Sequence, residues 1–177
     1  MKKQVKIALG CGWRNYGKNW IHIDNGNYKH LDIKTDIRDL SMIKNGSVDI
    51  IYASHVLEYF DRNEAELILW ELYDKLKKDG ELYLAVPDFE AMSYLYTNER
   101  TPLHRFVGPL YGKMEMGDST IFHKTVYDYA SLGELLKSSD FKGVELYDPV
   151  NLIGNVDDHS KAMVDGCSIS LNVRCKK

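Results

Sequence analysis

Four places in the chain combine residue types that can do chemistry. The first is Gly10-Cys11-Gly12, directly after the apolar run Val5–Leu9. Glycines at the end of a strand let the backbone turn sharply and let a ligand approach where a Cβ would clash; the same pair also serves as a plain tight turn. Where the dinucleotide fingerprint needs its third glycine the chain has Asn15, which argues against a nicotinamide cofactor. The second place is Asp24, at the end of Trp20–Ile23. A carboxylate there can accept both hydroxyls of a ribose lying across a sheet, or it can form a turn with Asn25-Gly26. The third is Asp36, placed to meet an adenine amino group or to cap the residues from Ile37 onward. The fourth is Ser54-His55 with Glu58, after the apolar run VDIIYA. His55 suits a ligand contact or a proton transfer near neutral pH, and equally a helix start. Asp24 or Asp36 alone reads as structure; two carboxylates after Gly-x-Gly, in this order, are harder to read that way.

Elements must bring these residues together. Val5–Leu9 and Trp20–Ile23 read as the first two strands. About ten residues separate them, near the lower limit for a parallel crossover, so a helix between them has a turn or two at most. Lys34–Asp36 reads as a short edge strand and Val48–Ala53 as a strand buried on both faces. Asp61 is the expected N-cap of a helix over Asn63–Lys78, with the stripe Ala65, Ile68, Leu69, Leu72, Leu76 and a stop at Gly80. Glu81–Val86 follows as a strand and Glu90–Tyr96 as a short helix. Asn98–Tyr127 reads as irregular, a length that suits a lid or binding segment. Ser131 is expected to cap a helix over Leu132–Ser139. Val144–Tyr147 is the next strand, Pro149–Gly166 a long loop and Ile169–Arg174 the last strand. The switching periodicity indicates an α/β fold. Ending on two strands with no helix between them separates the chain from a dinucleotide-binding domain, which continues its alternation.

Composition narrows the classes. A length of 177 residues fits one domain, taken as 1–177. The apolar share is 44% and the charged share 28%, ordinary for a globular protein. A net charge of −3 provides no global field for nucleic acid or an anionic membrane. No apolar run reaches the ~18 residues of a membrane span, and the N-terminus lacks a signal-peptide pattern. Cys11, Cys167 and Cys175 show no CxxC or zinc spacing, so a reducing cytoplasm is the expected compartment and no metal site is expected.

The strings ALGCG, GKNWIHID, SVDIIYASHVLEYF and LKKDGELYLAVPDFE resemble class I S-adenosylmethionine-dependent methyltransferases. The closer resemblance is to a small bacterial group of predicted methyltransferases linked to surface-polysaccharide synthesis. HKTVYDYASLGELLKSSDFKGVELYD and DDHSKAMVDGCSISLNVRCKK extend it over almost the whole chain, and the HVLE block and the SLNV strand are its most specific pieces. The resemblance implies a three-layer, Rossmann-like sheet of seven strands, mostly parallel with an antiparallel last strand, and a shortened first crossover. It implies S-adenosylmethionine as cofactor. Gly10, Cys11 and Gly12 would wrap its methionine part, Asp24 would hold the ribose, Asp36 and Ile37 would border the adenine, and Ser54 and His55 would lie at the substrate mouth. Two departures stand out. Lys6-Ile7-Ala8 replaces an acidic residue common before the glycine turn, and Tyr59 replaces a second His common in the HVLE block.

Methyl transfer from a sulfonium needs a nucleophile placed in line at roughly 3–3.5 Å. For a hydroxyl acceptor a general base adds about 10²–10⁴-fold. His123 is the first expected base, where the long irregular segment ends; Asp88 in VPDFE is the second and His55 the third. Asp88 can instead cap the following helix. Asp157, Asp158 and His159 form a local, incomplete ligand set that reads as a solvated acidic turn. The expected acceptor is a small molecule or saccharide, with a homodimer compatible with a small sheet. A non-catalytic cofactor-binding module is the alternative. A nucleic-acid substrate lacks both an NPPY-like segment and a basic stripe.

Overall fold

The computed structural model describes residues 4–116 and 119–177. Short apolar runs ended by glycine or aspartate form the first strands: β1 (Lys6–Leu9), β2 (Trp20–Asp24), the two-residue β3 (Ile33–Lys34) and β4 (Val48–Ser54). After a 3-10 turn at Leu57–Tyr59 come α1 (Arg62–Lys75), β5 (Leu76–Pro87), α2 (Phe89–Thr97) and α3 (His104–Tyr111). A hairpin, β6 (Met114–Met116) and β7 (Ser119–Ile121), leads to α4 (Tyr129–Ser138) and β8 (Lys142–Leu146). The single-turn α5 (Val150–Ile153), a 3-10 turn at His159–Lys161, β9 (Met163–Val164), β10 (Cys167–Ser168) and β11 (Ser170–Lys176) complete the described chain.

Seven strands form one sheet in the order β3-β2-β1-β4-β5-β11-β8. The pairs β2–β3, β1–β2, β1–β4 and β4–β5 are parallel. β11 runs antiparallel to both β5 and β8, so the last strand is reversed as the sequence resemblance implies. Alternate residues serve opposite faces. Ile7, Leu9, Ile51, Ala53, Leu82 and Leu84 meet the stripes of α1 and α4 in the larger core. Ala8, Ile50, Tyr52 and Tyr83 form a smaller core under Tyr16, Trp20 and Ile153. The double-sided burial expected of β4 follows from this split.

Local chemistry sets the helix starts. Asp61 Oδ1 accepts from the backbone N–H of Asn63 and Glu64, and Glu64 Oε2 accepts from Asp61 N, a capping box. The expected end of α1 is corrected. The helix stops at Lys75, because Leu76 turns extended to pair with Val48 and bury its side chain completely; Gly80 lies inside β5. Asp128, not Ser131, caps α4, and Ser131 is the third residue of that helix's own capping box. Asn98–Tyr127 is not irregular throughout, since it holds α3 and the β6–β7 hairpin; Gly108 and Pro109 inside α3 mask its helical pattern. Gly117, within that segment, lies outside the described residues. The loop Pro149–Gly166 contains α5 and β9. Between β1 and β2 there are turns and no helix at all. Among the described residues no helix is long and apolar enough to cross a membrane.

Replacing Asp61 by Ala removes both cap bonds. The expected cost is about 1 kcal/mol, a fall in Tm of about 2–4 °C for a domain of this size, read in a thermal melt followed by circular dichroism.

Candidate active site

The C-terminal ends of β1, β2 and β4 open into a cavity of about 1130 Å³. Gly10, Gly12, Asp24, Asp36, Ile37, Ser54, His55 and His123 all line it. The sheet order explains the meeting: β1 lies between β2 and β4, so turns far apart in sequence emerge side by side. Gly10 and Gly12 both have positive φ, +59° and +56°. A Cβ on Gly10 would lie 2.4 Å from Val56 Cγ2, so close packing against the turn after β4 requires glycine there. A Cβ on Gly12 would meet nothing nearer than 3.9 Å and would stand between Arg14 Nη1 and the Tyr28 hydroxyl.

Asp24 is held at both oxygens. Oδ2 accepts from Gly12 N at 2.8 Å and Oδ1 from Gly26 N at 2.6 Å. Each carboxylate oxygen keeps a second lone pair for a hydroxyl. Asp36 accepts from Arg38 N and lies 3.1 Å from Arg38 Nη1, whose guanidinium also reaches Glu64 and stacks over Phe60.

Two of the expected residues point elsewhere. The Cys11 side chain does not line the cavity; it is buried in the smaller core with Ala8, Trp20 and Tyr52. Burial above all, then Asp24, pushes its thiol up to about 12, so it stays neutral. Asp88 Oδ1 accepts from Ala91 N as the N-cap of α2, and Asp88 is not among the residues that line the cavity.

A carboxylate the sequence reading named without a role lies between the histidines. Glu58 is fully buried, and neither of its oxygens receives a well-aligned hydrogen bond from a described group. His55 Nδ1 lies 3.1 Å and His123 Nε2 3.8 Å from the same Oε1. His55 has φ +54°, a strained setting for a non-glycine residue, and its Nε2 is 3.1 Å from Ser170 Oγ. His123 Nδ1 lies 3.0 Å from the Pro109 carbonyl, which can only accept. Nδ1 therefore carries hydrogen and Nε2 of the neutral ring carries the lone pair. Tyr59 packs edge-on against this ring at 4.5 Å. Burial, against the opposing pull of Glu58, holds the His123 imidazole below its usual value.

Asp158 is the opposite case, and the solvated turn expected at 157–159 is corrected. Its side chain is fully buried. Oδ1 accepts from Ser54 Oγ at 2.6 Å, Tyr52 Oη at 2.9 Å and Ser160 N at 2.8 Å, and Oδ2 from Tyr16 Oη at 2.5 Å. Arg14 Nε is 3.3 Å from Oδ2. Burial alone would raise this carboxyl, but bonds from Ser54, Tyr16 and Ser160 outweigh it and hold it at about 2. Burial first, and then Asp158, pushes the Tyr16 and Tyr52 phenols up, so both remain donors. One signal was available in the sequence: Tyr52 and Ser54 place two hydroxyls on one face of a buried strand, and buried hydroxyls need an acceptor. Arg14 and His159, both lining the cavity, carried no comparable signal.

A family model described as a methyltransferase domain matches residues 14–84, under half of the chain. No curated protein sequence matches. Among solved structures, the chain is similar to a SAM-dependent methyltransferase from Archaeoglobus fulgidus, with TM-score 0.61 and 14% identity over 99% of this chain and 87% of that one. It is similar to another from Methanosarcina mazei, with TM-score 0.60 and 16% identity over 100% and 94%. It also resembles human N-acetylserotonin methyltransferase, with TM-score 0.57 and 12% identity over 98% of this chain and 47% of that one. The fold is that of the class I, Rossmann-like methyltransferases. The methyltransferase-domain match covers the segment that carries Asp24, Asp36, Ser54 and His55.

The low Asp158 value makes stability pH-dependent. The carboxyl titrates near 2 when folded and near 3.9 when unfolded. Its contribution, on the order of 2 kcal/mol, is complete above the unfolded value and is lost as pH falls through about 2. Urea midpoints measured from pH 6 to pH 2 should show this loss, and Asp158→Asn should flatten it while lowering stability at neutral pH.

Proposed function

We propose that this protein transfers a methyl group from S-adenosylmethionine to a hydroxyl of a small-molecule or saccharide acceptor, within one domain spanning 1–177. One observation carries the reading. The same cavity is lined by Gly12 and Asp24 and by two histidines that flank the buried Glu58. The residues fit the cofactor. Asp24, fixed by Gly12 and Gly26, suits the ribose hydroxyls. Ile37 and Asp36 suit the adenine, and the Gly10–Gly12 turn suits the methionine part, with Cys11 contributing backbone only. Ser54 and His55 stand between this end and the acceptor.

S-adenosylmethionine supplies an electrophilic methyl group on a sulfonium. The chain's own task is to place the acceptor and take its proton. His123 is the base: Pro109 fixes its tautomer, leaving Nε2 to receive the hydroxyl proton. The Glu58 carboxylate beside it stabilises the imidazolium that forms. Tyr59, which departs from the resembled group's pattern, holds the His123 ring by edge-on packing. His55 is the second base, oriented by Glu58 and Ser170. Tyr28, Tyr59, Phe60 and Phe122 also line the cavity, and such rings stack on sugars and aromatic acceptors. All three cysteines are free, which suits a reducing compartment such as the cytoplasm.

Calorimetric titration with S-adenosylhomocysteine tests the cofactor half. Asp24→Ala should weaken binding about tenfold or more, the value of a pair of hydroxyl bonds; unchanged affinity would remove Asp24 from the site. A panel of saccharide and phenolic acceptors, with S-adenosylhomocysteine formation as readout, tests the chemistry. Binding without turnover on any acceptor would favour the non-catalytic module.

With a working acceptor, His123→Gln should lower kcat about 10²–10⁴-fold with cofactor affinity near wild type. The low imidazole value places the acid limb of kcat/KM below pH 6.5. Activity is full above it and is lost as the ring protonates, and the limb should vanish in His123→Gln.

A further inference from the structure

Four cationic side chains other than histidine line the cavity among the described residues: Arg14, Arg38, Lys113 and Lys124. Three have carboxylate partners at close range. Arg38 binds Asp36 and Glu64, Lys124 binds Glu64 at 2.8 Å, and Lys113 lies 3.0 Å from Glu115. Arg14 differs. It is 8% exposed, and its Nε and Nη2 have no hydrogen-bond acceptor among the described residues. Asp158 stands 3.3 Å from Nε but already accepts from Tyr16, Tyr52, Ser54 and Ser160. It balances the charge of the guanidinium and leaves the fork unfilled. A buried guanidinium with unused N–H groups lowers stability unless something else accepts from them.

Position narrows the choice of acceptor. Arg14 Nη1 lies 3.9 Å from the point where a Gly12 Cβ would stand, and Gly12 N holds Asp24. Asp36, Ile37 and Arg38 form the other flank of Asp24. A nucleoside with its ribose on Asp24 and its base toward Asp36 sends its 5′ substituent toward Gly12 and Arg14. We propose that Arg14 recognises the carboxylate of the cofactor's amino-acid tail, an inference that rests on the cofactor reading above. A carboxylate matches the guanidinium fork in geometry and charge. The tail is zwitterionic, so it adds no net charge beside the Arg14–Asp158 pair.

The test is calorimetry on the full chain with three probes. S-adenosylmethionine carries the carboxylate, decarboxylated S-adenosylmethionine lacks only that group, and 5′-methylthioadenosine lacks the whole tail. Wild type should bind the first about tenfold or more tighter than the second. Arg14→Gln should bring that ratio close to one while leaving 5′-methylthioadenosine affinity unchanged, and Arg14→Lys should fall between. Equal binding of the first two probes by wild type overturns the proposal, even if Arg14→Gln fails to fold because Asp158 is left unpaired. An undiminished ratio in Arg14→Gln overturns it too. Failure of wild type to bind any of the three probes would instead remove the cofactor reading itself, and the subsite with it.

Discussion

The buried Asp158 carboxylate joins parts of the chain that no strand pairing connects. It receives Tyr16 from the turn after β1, Tyr52 and Ser54 from β4, and Ser160 from the 3-10 turn that follows it. The crossover from β1 to β2 has no helix, so the face of the sheet bearing Ala8, Ile50 and Tyr52 needs another cover. Tyr16, which packs edge-on against Tyr52 at 5.4 Å, and the segment around Ile153 provide it. Apolar contact alone would not set their register. Hydroxyls and a guanidinium converging on one carboxylate do, because each would be costly to bury without a partner.

Saturation separates three of the carboxylates at this end of the molecule. Asp158 has its acceptor capacity filled by the protein and serves structure. Asp24 has each oxygen fixed by one backbone N–H and keeps further capacity toward the cavity. Glu58 is as buried as Asp158 and receives no well-aligned hydrogen bond from the described residues, with two imidazoles beside it. A native fold retains a buried, unsatisfied polar group of this kind only where something else justifies it, and sites that move protons are where such groups collect.

The cavity wall around His123 has a different construction. α3 and the β6–β7 hairpin contribute Gly108, Pro109, Gly112 and Phe122 to the cavity wall, and the backbone of Lys124 and Thr125 bonds to the Glu58 carbonyl. The segment that carries His123 is thereby tied to the turn that carries Glu58. His123 and Glu58 are positioned by main-chain bonds rather than by strand pairing.

Sequence alone determined what depends on near neighbours. The strand runs ending at Gly10 and Asp24 and the cap at Asp61 rest on chemistry within a few residues, and each stands in the structure close to where the chain announces it. The Gly-x-Gly turn, Asp24, Asp36 and Ser54-His55 were legible as an ordered set because strand ends in a parallel sheet share one edge. Tertiary structure decided what depends on partners far along the chain. Asp88 went to a helix cap, Cys11 turned into the core and Leu76 left its helix to pair with Val48. Asp158 went from an apparent surface turn to full burial because its partner Ser54 is 104 residues away. Whether a polar side chain meets water, a ligand or another side chain is set by what the fold packs against it, and residue type and local spacing do not encode that.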